Sequence, residues 1–78
     1  MVPLYGFVEG DVLGILVLAH RDMTVREIIE RLSDAASPRV DPCGPWRLVA
    51  RGRAVAPEQT VEALSLDAFE RIDLRRAT

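Results

Sequence analysis

Thr24-Val-Arg-Glu-Ile-Ile-Glu-Arg-Leu-Ser-Asp-Ala-Ala36 is the stretch whose reading decides the fold. Thr24 is a good helix N-cap, and Glu27 three residues later completes a capping box. Val25, Ile28, Ile29, Leu32 and Ala36 then recur at helical spacing as one apolar stripe, with Arg26, Glu30, Arg31 and Asp34 on the wet side. A helix with a single apolar face needs one surface to pack against. The rest of the chain must supply it.

Upstream, residues 2–9 (VPLYGFVE) and 12–19 (VLGILVLA) read as two strands joined by a tight turn at Gly10-Asp11. Downstream, Ser37 to Pro45 (SPRVDPCGP) carries three prolines and a glycine and reads as a loop. Trp46, Leu48 and Ala50 alternate with Arg47, Val49 and Arg51, the pattern of a half-buried strand. Gly52 turns the chain, and Ala54-Val55 suits a short returning strand. Thr60 to Leu66 suits one or two helical turns, and Ile72 and Leu74 alternate with Arg71, Asp73 and Arg75 in a last strand. The predicted order is ββαββ with a short helical turn before the last strand: an α+β fold with a mixed four- to five-stranded sheet packed on one helix. That is the β-grasp, or ubiquitin-like, order.

At 78 residues the chain holds one domain, residues 1–78, with a thin core. Apolar residues make up 49% and charged residues 28%, which favours folding over disorder. The formal charge is −2, and all ten basic residues are arginine. Residues 1–38 hold three Arg against six acids and residues 39–78 seven against six, far from the basic stripe of a nucleic-acid binder. The longest apolar run, Val12 to Ala19, is too short to span a bilayer, and no charged segment precedes it as in a secretory signal. The expected compartment is the cytoplasm. Without lysine there is no Schiff-base chemistry and no P-loop.

The search for chemistry finds no catalytic, cofactor-binding or metal-ligating set. Cys43 is the only cysteine and His20 the only histidine, too few soft ligands for zinc. His20 reads as an exposed loop residue. Cys43 has no base in its Pro-Cys-Gly-Pro setting and reads as a loop thiol partly tucked under Trp46. Acid pairs such as Glu9/Asp11 and Glu27/Glu30 fit a turn, a cap and a solvated face. The chain ends Arg75-Arg76-Ala77-Thr78, not in the diglycine that conjugated ubiquitin-like modifiers require. Conjugation through the C-terminus is not expected.

The hairpin departs from the usual apolar-in, polar-out alternation of a one-side-covered sheet. If Leu4, Val8, Leu13, Ile15 and Val17 face the helix, then Tyr5, Phe7, Leu16 and Leu18 face outward. Strands three and five instead put Arg47, Arg51, Arg71, Asp73 and Arg75 on that outer face. A contiguous apolar patch rimmed by charge marks an interface. Tyr5, Phe7, Leu16, Leu18, Arg47 and Arg51 are the candidate partner-binding residues.

Val2 to Asp11 (VPLYGFVEGD), then Leu13 to Asp22 (LGILVLAHRD) and Met23, resemble the opening of the toluene-4-monooxygenase system B proteins, the small ubiquitin-like γ subunits of bacterial multicomponent di-iron monooxygenases. Pro3, Phe7, Glu9, Asp11, Leu13, Leu16, Val17 and Asp22 follow that pattern. It continues through Arg39-Val40, Pro42, Gly44, Arg47, Val49 and Arg51 to a closing segment from Glu62 to Leu74. The absence of lysine and the Pro-Cys-Gly-Pro segment depart from it. The resemblance implies a non-catalytic subunit that binds and stabilises the large hydroxylase subunit. That partner, not this chain, would hold the di-iron centre of an aromatic or alkene hydroxylase. Small ubiquitin-like proteins of type VII secretion systems offer a competing resemblance, through Trp46 at the start of strand three and the Leu-containing turn before the last strand. A generic ubiquitin-like adaptor is a third reading.

Overall fold

The computed structural model describes residues 1–77. Its elements are β1 (Val2–Val8), β2 (Gly14–Ala19), α1 (Val25–Ala36), β3 (Trp46–Ala50), β4 (Arg53–Ala54) and β5 (Glu70–Arg76). The strands form one mixed five-stranded sheet in the order β2-β1-β5-β3-β4. The central pair, β1 and β5, is parallel and the other pairings are antiparallel. Helix α1 covers one face. This is the α+β, β-grasp arrangement that the sequence predicts, with the helix bounds as expected.

The helix is aimed by its first turn. Thr24 Oγ1 accepts from the Glu27 N–H and Glu27 Oε1 from the Thr24 N–H, both at 3.3 Å, closing the capping box. The N–H groups of Val25 and Arg26, orphans in any helix, donate to the Gln59 and Pro57 carbonyls at 2.8 and 3.0 Å. Val25, Ile28, Leu32 and Ala36 are buried and Ile29 is half-buried. Against them lie Leu4, Val8, Val17, Ala19, Leu48, Ala50, Ile72 and Leu74, with Met23, Val61 and Leu66 closing the end. Gly6 in β1 lets the helix come this close. A methyl group at Gly6 would overlap Leu32 Cδ2 in the filled core.

Several local expectations change. The first hairpin closes with a longer connection, residues 9–13, not with a two-residue turn, and β2 starts at Gly14. Gly10 takes φ +90° in a turn closed by the Asp11 N–H on the Val8 carbonyl at 2.9 Å. Asp11 Oδ1 then accepts the N–H of Val12 at 2.8 Å, so the Asp11 side chain binds a backbone group the ladder would have used. As a result Leu13, expected on the helix side, is 49% exposed in the loop. Ile15 is half-buried, whereas Leu4, Val8 and Val17 are buried as expected.

Arg51 leaves the outer row. Ala50 pairs with Arg53, and Arg51 and Gly52 between them have φ +54° and +77°, the mark of a two-residue type I′ turn. The returning strand is Arg53–Ala54 rather than Ala54-Val55, although the Val55 N–H still donates to the Leu48 carbonyl at 3.0 Å. The segment from Thr60 to Leu66 makes a single helical turn, with the Leu64 N–H on the Thr60 carbonyl at 3.0 Å.

Candidate interaction face

The outer sheet face is built by the same alternation that builds the core. Pro3, Tyr5 and Phe7 of β1 stand beside Leu18, Leu16 and Gly14 of β2, their respective Cα partners. Tyr5, Leu16 and Leu18 are 43%, 52% and 52% exposed. Phe7 is half-buried: its ring lies over Gly14, whose missing side chain makes room for it, and the Arg71 guanidinium sits 4.3 Å from its centroid. Phe7 is thus partly occupied within the chain, while Tyr5, Leu16 and Leu18 form the open part of the strip.

Phe69 extends the strip, and the sequence reading missed it. It lies just before β5 with φ +62°, its N–H donates to the Pro3 carbonyl at 2.6 Å, and its ring centre is 5.7 Å from that of Tyr5. Its position in the connecting segment hid it, because outward direction was read only from strand alternation.

β2 is an edge strand. The Glu9 N–H donates to the Leu74 carbonyl at 2.8 Å, so odd-numbered backbone groups of β1 point toward β5 and even-numbered ones toward β2. Across the β1–β2 register, Val17 and Ile15 then bond to β1, and the N–H and C=O of Leu16 and Leu18 point out of the sheet edge. Side chains and backbone of the same two leucines are therefore available together.

On the other half of the face, Arg47 of β3 and Arg75 of β5 are Cα partners, and Arg71 binds Asp73 at 3.0 Å. Arg51, the remaining candidate, is committed elsewhere. It donates to the Leu64 and Ser65 carbonyls at 3.1 and 2.7 Å, and its Nε lies 2.5 Å from Glu70 Oε2. It ties the turn before β5 to the end of β3, and those bonds offset the cost of its left-handed backbone.

The remaining reactive residues do not converge. Among the described residues no group of three His, Cys, Asp or Glu side chains is placed to hold a metal ion. His20 is exposed. Cys43 is exposed as well, and not tucked under Trp46. Trp46 donates its indole N–H to the Pro42 carbonyl at 2.9 Å, and the Arg76 guanidinium lies 3.8 Å over its ring. Arg76 also donates to the carbonyls of Asp41 and Cys43, so the Pro-rich loop is pinned by Arg76 and Trp46. No helix among the described residues is long and apolar enough to cross a membrane.

No protein-family model matches the chain, and no curated protein matches its sequence. Solved structures do match its fold. A chain of the toluene 4-monooxygenase HD complex with the inhibitor 4-bromobenzoate superposes with a TM-score of 0.87, at 22% identity over 96% of both chains. The ubiquitin of Caldiarchaeum subterraneum superposes with a TM-score of 0.82, at 18% identity over 99% of this chain and 94% of its own. The chain is a ubiquitin-like β-grasp. At these identities the likeness is one of fold.

Proposed function

We propose that this chain is the small, non-catalytic subunit of a multicomponent di-iron aromatic or alkene monooxygenase, and that it docks on the large hydroxylase subunit through the outer face of its first hairpin. The observation that carries the reading is the apolar strip of Tyr5, Leu16, Leu18 and Phe69, left exposed on a sheet whose other half is charged. A one-helix β-grasp does not need that strip in order to fold. The superposition on a chain of a monooxygenase complex points to the kind of assembly that would cover it. The di-iron chemistry then belongs to the partner, and this chain contributes contact area and stability by binding.

The test is co-purification with the large di-iron hydroxylase subunit of the same host, comparing the native chain with Leu16→Asp/Leu18→Asp. These positions are exposed, so the variant is expected to keep its melting temperature within a few degrees. Two charges in the centre of the strip should abolish the complex. Full retention of the complex by the folded variant would refute the docking face.

A further inference from the structure

Arg47 and Arg75 lie directly opposite each other in the β3–β5 ladder and share the outer face. Opposed residues have Cβ atoms about 4.5–5.5 Å apart, and like charges so placed destabilise a sheet. The nearby carboxylates among the described residues pair with neither arginine. The Asp73 carboxylate takes Arg71 through Nε and Nη2 at 3.0–3.3 Å. Among the described residues Arg47 donates to the Ala77 carbonyl alone, at 3.3 Å. Among the described residues no carboxylate lies within ion-pair distance of either arginine, whereas Arg26, Arg39, Arg51 and Arg71 each have one. A chain with a formal charge of −2 thus places Arg47, Arg71 and Arg75 beside two described carboxylates that are both engaged elsewhere: Asp73 holds Arg71, and Glu9 Oε1 accepts the Arg76 N–H at 3.2 Å.

We infer that Arg47 and Arg75 form a clamp for one carboxylate, an Asp or Glu side chain of the protein that covers the apolar strip. This deepens the docking reading proposed above. A carboxylate between two guanidinium groups accepts charge-assisted hydrogen bonds from both and removes their mutual repulsion. Strands are spaced by about 4.8 Å and rise about 3.3 Å per residue. Leu16 is level with Tyr5 and Arg71, and Arg75 lies four residues farther along β5, which puts the clamp about 16–20 Å from Leu16. The fitting partner surface is therefore an apolar ridge with an acidic residue at that distance. The apolar contact supplies area, and the clamp fixes orientation and raises the association rate.

Glutarate is a direct probe of the clamp, read by NMR at the arginine Nε–H groups of the full chain at constant ionic strength. Arg21 and Arg53, exposed and without ion-pair partners among the described residues, serve as internal standards. The Arg47 and Arg75 signals should saturate at a glutarate concentration at least tenfold below any saturation at the standards, and Arg75→Gln should abolish saturation at Arg47. Equal, non-saturating shifts at all four positions, or no shift at the pair, would overturn the clamp. A second arm measures affinity for the purified large hydroxylase subunit. Arg47→Gln/Arg75→Gln should bind at least tenfold more weakly, with a flatter salt dependence. If Leu16→Asp/Leu18→Asp loses binding but the arginine variant keeps native affinity and salt dependence, the clamp is refuted and the docking reading stands. If glutarate saturates the pair but the native chain never binds the large subunit, the clamp stands and the hydroxylase reading is refuted.

Discussion

Leu4 and Tyr5 are neighbours in β1, and Val17 and Leu18 in β2. Leu4 and Val17 are buried under α1, and Tyr5 and Leu18 are exposed on the opposite face. The two faces share a backbone and a composition, yet their apolar side chains are held to different standards. On the inner face each side chain meets α1 or another strand, and its size is set by that fit. On the outer face of the hairpin the side chains are as large and as apolar; Tyr5 packs on Phe69 and Phe7 on Gly14 and Arg71, while Leu16 and Leu18 stay exposed. Folding explains the first set. The second set is the surface on which the proposed docking rests.

The sharpest way to break this comparison is to cut into the inner face. Leu32 is fully buried, and Leu32→Ala should cost about 2–5 kcal/mol, a large share of the stability of so small a domain. Gly6→Ala, which forces a methyl group onto Leu32, should cost about 1–3 kcal/mol. The two should not add. With Leu32 shortened the overlap disappears, so the double variant should be more stable than the summed losses imply. Urea unfolding of the four proteins measures the coupling, and strict additivity would disprove the close approach at Gly6. The matched outer-face change, Leu18→Ala, should stay within about 0.5 kcal/mol of native.

The next effect concerns the aim of the helix, on which the distinction between the faces depends. Thr24→Ala removes the hydroxyl that accepts the Glu27 N–H and should cost about 1 kcal/mol. Because the Gln59 and Pro57 carbonyls still hold the first two N–H groups of α1, the helix should shorten in stability and not in length. Unchanged far-UV circular dichroism with a lowered urea midpoint is the expected result. Loss of helical signal would show that the capping box alone positions α1.

The helix was the most legible element because its bounds are written in local chemistry, a threonine cap at one end and proline at the other. The core could be read from alternation, since each inner residue is set by its own strand. What was not legible came from contacts distant in sequence. The five-residue hairpin connection depends on Asp11 meeting Arg39, 28 positions away. The removal of Arg51 from the outer row depends on Leu64, Ser65 and Glu70. Phe69 joins the apolar strip only because β5 pairs in parallel with β1, and strand pairing is not coded in either strand alone. The outer face was therefore readable as a surplus of apolar residues, while its outline required the fold.

The smallest effect tests the tie between the hairpin and the helical layer. Arg39 grips Asp11 with two hydrogen bonds, Nε to Oδ1 at 2.8 Å and Nη2 to Oδ2 at 2.9 Å. That grip, helped by the N–H groups of Leu13 and Val12 and opposed by desolvation, holds the Asp11 carboxyl below its ordinary value of 3.8. A carboxyl depressed in the folded state stabilises the fold above its unfolded pKa, and that contribution is lost as the pH falls through the folded value. Asp41 shifts the same way, chiefly through the Cys43 N–H. Glu70 does too: burial pushes it up, but the Asp67 N–H and Arg51 outweigh that. The whole chain should therefore lose stability below about pH 4, and Arg39→Met isolates the share due to Asp11. The gap in melting temperature between native and variant should be constant from neutral pH to about pH 5 and shrink as the pH falls below about 4. A gap that persists unchanged at pH 2 would mean that Arg39 acts through its apolar stem and its bond to the Ala35 carbonyl, and that the hairpin is not held to the helical layer by charge.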